Sequence, residues 1–333
     1  MKAKGCDPRL WRRALQIVLS ASVAVVFSLA ASVGVVKGER QSETSAAAAH
    51  VKCDQGADAE HGGRGPLQRA IDVSRPGASI LVTGTCLENV TIPLGKDGIM
   101  LDGGGTAAIT APDPTQPAVL VRAKDITVRA FTITGGRGGV IITQGGAGVV
   151  DGNIIRDSGF YGVSASQLSA AVIVNNTIEN HQQAGIGVAE TAYAFIGFVL
   201  PTDTVASPNF IRGNRAQGIA VFRGSYARIV GNVITDNGAN GVNVRESSSA
   251  QISDNTIDGN MMNGVFVNQG SGVLLGTDTG NTIFTRPNMT TRNNLLFGIR
   301  CQVGANADGR LGTLNGNSGP ESYVEGCIRS LIP

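Results

Sequence analysis

The chain is 333 residues long, with 46 Gly, 5% aromatic residues, 16% charged residues and a net charge of +2 at pH 7. That balance gives no electrostatic footprint for nucleic acid, and a composition so rich in Gly and poor in aromatics agrees with short stacked β elements. The length admits two domains, but the chain carries a continuous internal repeat, which argues for one.

In chain order, Trp11-Arg12-Arg13 precedes an uncharged apolar run over residues 14–36, and a polar, Ala-rich segment extends to about His50. A positive flank and an apolar run form an export signal, and a run of this length also suffices to span a bilayer. Residues 1–36 are therefore expected to be a signal peptide or a membrane anchor, and both readings export the C-terminal region. Residues 37–65 lead into a repeat domain over 66–333. Over residues 66–73 (PLQRAIDV), Leu67, Ala70 and Ile71 recur at helical spacing before Pro76-Gly77 ends the pattern. This predicts a short helix capping the first unit, with early strands at 79–83, 90–92 and 99–101.

Further along, the chain repeats with a 23-residue period: Gly139, Gly162 and Gly185 are evenly spaced, as are Gly218, Gly241 and Gly264. The steps of 33 from Gly185 to Gly218 and 34 from Gly264 to Gly298 carry insertions in the same unit. Each unit holds three short Val/Ile-rich runs separated by Gly, Asn, Asp and Ser, too short for helices. Three such strands close one coil of a parallel β-helix, and successive coils stack at ~4.8 Å. Within residues 242–245, Val242 and Val244 point in while Asn243 and Arg245 point out. Asn153, Asn176, Asn232 and Asn255 each lie 14 residues after an opening Gly, and Asn209 falls in register with them. Stacked Asn side chains satisfy buried turn amides and one another. Five residues further on, Ser158, His181, Asn214, Asn237 and Asn260 form a second polar column.

The period and the Asn column resemble the right-handed parallel β-helix superfamily, the pectate-lyase-like fold of pectinases, alginate and chondroitin lyases and uronan epimerases. The resemblance covers roughly residues 66–328. It implies an all-β, right-handed parallel β-helix of about ten coils with a short N-terminal capping helix, and it points to a polysaccharide as partner. The catalytic signatures of the best-known relatives are missing: no stacked Asp pair with Gly-His-Gly, no Asp-Pro-His-Asp, no RxPxxR run.

Four cysteines form two local pairs at opposite ends of the repeat, Cys53 with Cys86 and Cys301 with Cys327. The end coils have one neighbour each, so disulfides there are expected, in keeping with export. No column places two acids in neighbouring coils, so neither a metal nor a cofactor is expected.

The chemistry-bearing residues fall in columns. Gln144, Gln167, Glu190, Arg223, Glu246 and Gln269 follow the first strand of successive coils. Glu190 and Glu246 are two coils apart, ~9.6 Å, near the carboxylate separation of an inverting glycosidase. Arg223 lies between them and holds both ionised, so a Glu-Arg-Glu surface ladder is the plainer reading. Arg245 and Asn243 stand beside Phe222, Phe266 and Asn268: a fork for a carboxylate, amides for hydroxyls and a ring for a sugar, against the alternative of a solvated face. Tyr161 and His181 are the acid–base candidates for a β-elimination, with His181 also placed as a ladder residue. The insertions, over 196–208 and split between 276–280 and 284–293, leave the same side of the coils. They are expected to wall a groove over the coils of Gly218 and Gly241. Three readings stay open: a lyase or C5-epimerase acting on an acidic polysaccharide, a non-catalytic polysaccharide-binding module, and a structural or adhesive solenoid.

Overall fold

The structure, a computed structural model, describes residues 49–53, 64–276, 282–323 and 328–332. All of them belong to one compact unit, Ala46–Pro333. The expected signal or anchor over residues 1–36 lies outside the described residues. Among those described, no helix is long and apolar enough to cross a membrane.

Among the described residues the strands form three parallel sheets. Sheet 1 holds ten strands, sheet 2 twelve and sheet 3 eight. In the coil of Gly241 they contribute Val242–Val244, Ser249–Ser253 and Thr256–Asp258 respectively. The register of sheet 1 runs Val140, Val163, Ile186, Ile219, Val242, Val265, Ile299. Those partners reproduce the sequence period, including both longer steps. The inward residues are aliphatic and stack on themselves: Ile155, Ile178, Ile211, Ile234 and Ile257 of sheet 3 are all fully buried. Each coil thus completes its apolar surface only against its neighbours.

Two polar ladders run through this core. Asn232 Oδ1 accepts from the backbone N–H and side-chain Nδ2 of Asn209 at 3.1 and 2.8 Å, and Asn232 Nδ2 donates to the Ile196 carbonyl at 2.9 Å. The same pattern links Asn153 through Asn255 and continues to Asn288. The second ladder runs from Ser158 through His181, Asn214, Asn237 and Asn260 to Asn294.

At the N-terminal end, α1 (Pro66–Val73) buries Leu67 and Ile71 over the first coil. Its N-terminal amides find their acceptor far along the chain: the buried Glu88 carboxylate accepts from Leu67 and Gln68 N–H, both at 2.9 Å. Burial raises the pKa of Glu88, and the Gln68 and Leu67 amides and the Arg69 charge oppose that shift. The Gln68 side chain pairs with Thr91 N–H and C=O at 2.7 and 3.0 Å, covering the open edge of sheet 1. Cys53 and Cys86 are disulfide-bonded. Cys301 is also disulfide-bonded, and Cys327 lies outside the described residues.

Candidate functional site

The outer face of sheet 1 is a grid set by the coil register. One column runs Gly187, Ala220, Asn243, Phe266, Arg300. Two residues further along each strand direction come Ala189, Phe222, Arg245, Asn268 and Gln302. Beyond these the chain turns the corner into sheet 2. Gln144, Gln167, Glu190, Arg223, Glu246 and Gln269 all hold φ between 52° and 58° there, and the residue after each is also in the left-handed region. A two-residue left-handed corner therefore aligns the charged column along the edge of sheet 1.

At that edge Arg223 meets Glu190 at 3.0 Å and Glu246 at 3.5 Å, while Arg245 meets Glu246 at 2.6 Å. Both guanidinium groups lie over the Phe222 ring, 5.4 and 4.8 Å from its centroid. Phe222 packs in turn with Ala184, Ala189, Ala220 and Tyr161. The Tyr161 ring crosses Gly187, where an added Cβ would stand only 3.3 Å from it. That glycine is what lets the ring lie flat on the sheet. Burial raises the pKa of the Tyr161 phenol; Arg245 and Arg223 pull it down, and Glu190 and Glu246 push it up. At neutral pH this phenol is a proton donor. Seven of the residues singled out in the sequence, Tyr161, Glu190, Phe222, Arg223, Asn243, Arg245 and Glu246, thus lie in one patch.

A right-handed β-helix family model matches residues 77–200 and 201–318. The chain belongs to the right-handed β-helix family. Among solved structures this β-helix is similar to a pectate lyase, Pel9A, at 14% identity and a TM-score of 0.50, covering 85% of this chain and 81% of that one. A variant of the periplasmic alginate epimerase AlgG aligns at 15% identity and 0.51, covering 85% and 82%. An alginate lyase from Paenibacillus sp. str. FPU-7 aligns at 15% and 0.44, over 84% and 99%. Likeness at these identities shows the fold alone. No curated protein matches the sequence.

Within this β-helix several expected roles change. His181 is fully buried inside the coils. Its Nδ1 accepts from Ser158 N–H at 3.2 Å, and its Nε2 faces the Ile155 carbonyl at 3.1 Å, which fixes the proton on Nε2. Burial lowers its pKa to about 4. Tyr161 lies on the outer face, so the wall of the helix separates the expected Tyr/His pair. Phe222 is only 5% exposed and is roofed by two guanidinium groups, which leaves half-buried Phe266 as the more open of the two expected rings. Asn243 faces outward as expected, yet it is buried between its neighbours.

The described parts of the insertions do not wall a groove over these residues. The first leaves between Tyr193–Ile196 of sheet 2 and Phe210–Arg212 of sheet 3, the second after Gly272–Leu275 of sheet 2. That corner is the one opposite the Arg/Glu edge of sheet 2. Phe198 and Ile283 meet there over Val230 in one buried cluster, because apolar loop residues gain more by closing on each other than by standing apart. Sequence reasoning also missed Arg300 and Gln302, whose offsets from Gly298 match those of Asn243 and Arg245 from Gly241. Separately, the outer face of sheet 2 carries an apolar notch of ≈ 250 Å³, floored by Ala147, Gly148, Ala170 and Val172 and walled by Tyr193 and Phe195.

Proposed function

We propose that this protein is exported and binds an acidic polysaccharide along the outer face of sheet 1. The observation that carries the reading is the grid itself: Arg300, the amides of Asn243 and Asn268, and the open Phe266 ring share one regular face, with the Arg223 and Arg245 ion pairs along its edge. Guanidinium forks suit carboxylates, amides suit sugar hydroxyls, and a ring supports the apolar face of a pyranose. The Cys53–Cys86 disulfide supports an oxidising compartment. The fold is shared with a pectate lyase and an alginate epimerase, enzymes named for acidic polysaccharides.

Binding is favoured over turnover by the proton inventory of this face. An elimination or epimerisation needs a base for the sugar proton. Tyr161 is held protonated, His181 is sealed in the core, and the Glu190 and Glu246 carboxylates are engaged by Arg223 and Arg245. The expected outcome is that polygalacturonate or alginate oligomers bind, that Phe266→Ala weakens binding by about 1 kcal/mol, and that no unsaturated product accumulates in the near ultraviolet. Calorimetric titration and an absorbance time course check both points. Failure of both polymers to bind would remove the reading; growth of the unsaturated-product band would replace it with a lyase.

A further inference from the structure

The cations of this face are not equivalent. Arg223 and Arg245 are matched by Glu190 and Glu246 at 2.6 to 3.5 Å, so the edge of sheet 1 carries two positive and two negative charges. A polymer carboxylate arriving there would have to displace Glu246 or sit beside it, and like charges oppose both.

Arg300 differs. It is half-buried on the same face, two strand spacings from Asn243 (~9.6 Å) with Phe266 between them. Among the described residues it has no carboxylate partner. With the Gln302 amide turned so that its oxygen faces the guanidinium, that oxygen accepts from Arg300 Nη2 at 2.5 Å and Nε at 3.0 Å. A neutral amide orients the fork without cancelling its charge. On the same face, the amide oxygens of Asn243 and Asn268 have no hydrogen-bond partner among the described residues, and Asn243 is 6% exposed. A buried amide left without a partner costs stability, so such groups on a surface grid mark positions that a ligand's polar groups complete.

We infer that the carboxylate of a uronic-acid unit is held at Arg300, with Asn243 and Asn268 taking sugar hydroxyls across the Phe266 ring, and that Arg223 and Arg245 serve to brace the edge. This rests on the proposed polysaccharide binding and names its substrate class, a polymer with free carboxylates and hydroxyls on each unit. The test titrates full-length wild-type protein, Arg300→Ala, Arg300→Lys, Arg245→Ala and, as a control on sheet 3, Arg212→Ala with oligogalacturonate and with its carboxyl-reduced counterpart. Arg300→Ala should weaken oligogalacturonate by about 10- to 100-fold, the worth of one charge-assisted contact. The same variant should leave the reduced oligomer unchanged, and Arg300→Lys should recover part of the loss. A loss for Arg245→Ala equal to or larger than that for Arg300→Ala would overturn the assignment while leaving the binding face standing. Absence of wild-type binding to oligogalacturonate and alginate would instead sink the binding reading. Asn243→Ala should keep or raise the thermal midpoint while weakening both oligomers; a lowered midpoint with unchanged affinity would show a purely structural amide and overturn the hydroxyl role.

Discussion

His181 occupies a column whose other members, Asn214, Asn237 and Asn260, cannot titrate. Its neutral ring does what they do, accepting from the coil before and donating to a carbonyl. The unfolded chain titrates near the ordinary value of 6.5 and the folded chain at about 4. Between those values the unfolded state binds more protons, so stability is full above pH 6.5 and falls as pH drops through the window. The loss is worth roughly 3 kcal/mol at most. His181→Asn should keep the ladder and flatten this pH dependence, as urea unfolding from pH 7 to pH 4 would show; an unchanged slope in the variant would mean that another group drives it. At this scale the sequence was informative about position and silent about surroundings. The offset from the opening Gly placed His181 in the second column, while Tyr161 directly precedes Gly162. Offset alone did not tell which side of the wall each faced, because that depends on the coil's path around Gly162. Asn288 and Asn294 continue both ladders but went unread, since the 34-residue step hides their register.

Elements were legible wherever the period ran undisturbed. The helix expected over residues 66–73 is Pro66–Val73, and the strands of the regular coils track their apolar runs. The insertions were legible in where they leave and not in where they go. Phe198 and Ile283 lie outside the repeat, so nothing periodic announces that both settle on Val230. The N-terminal cap is built from three parts that only the fold joins: α1, the Glu88 carboxylate beneath it and the Cys53–Cys86 bond. That disulfide spans 33 residues, for which the chain-entropy estimate is ~3–4 kcal/mol. Replacing both cysteines by Ala should lower stability by about that amount, and faster amide exchange should appear first in residues 66–92 and leave the coils near Gly241 protected. Uniform exchange along the whole solenoid would contradict an end-cap role.

For the whole molecule, stacking coils in register turns a one-dimensional period into flat, long faces of different chemistry. Sheet 1 presents guanidinium groups, amides and the half-buried Phe266 ring. Sheet 2 presents the apolar notch beside Tyr193 and Phe195. Sheet 3 carries Arg212 paired with Glu179 at 2.9 Å. The fold is dictated by the period and its Asn columns; the division of labour among faces depends on which outward positions are left uncompensated, and that required contacts no spacing reveals. The most direct measurement is a crystal structure of the protein with an oligogalacturonate bound. The expected result is an oligomer along sheet 1, with a carboxylate on Arg300, a ring over Phe266 and hydroxyls at Asn243 and Asn268. An oligomer seated in the sheet 2 notch, or on the loops around Val230, would contradict it.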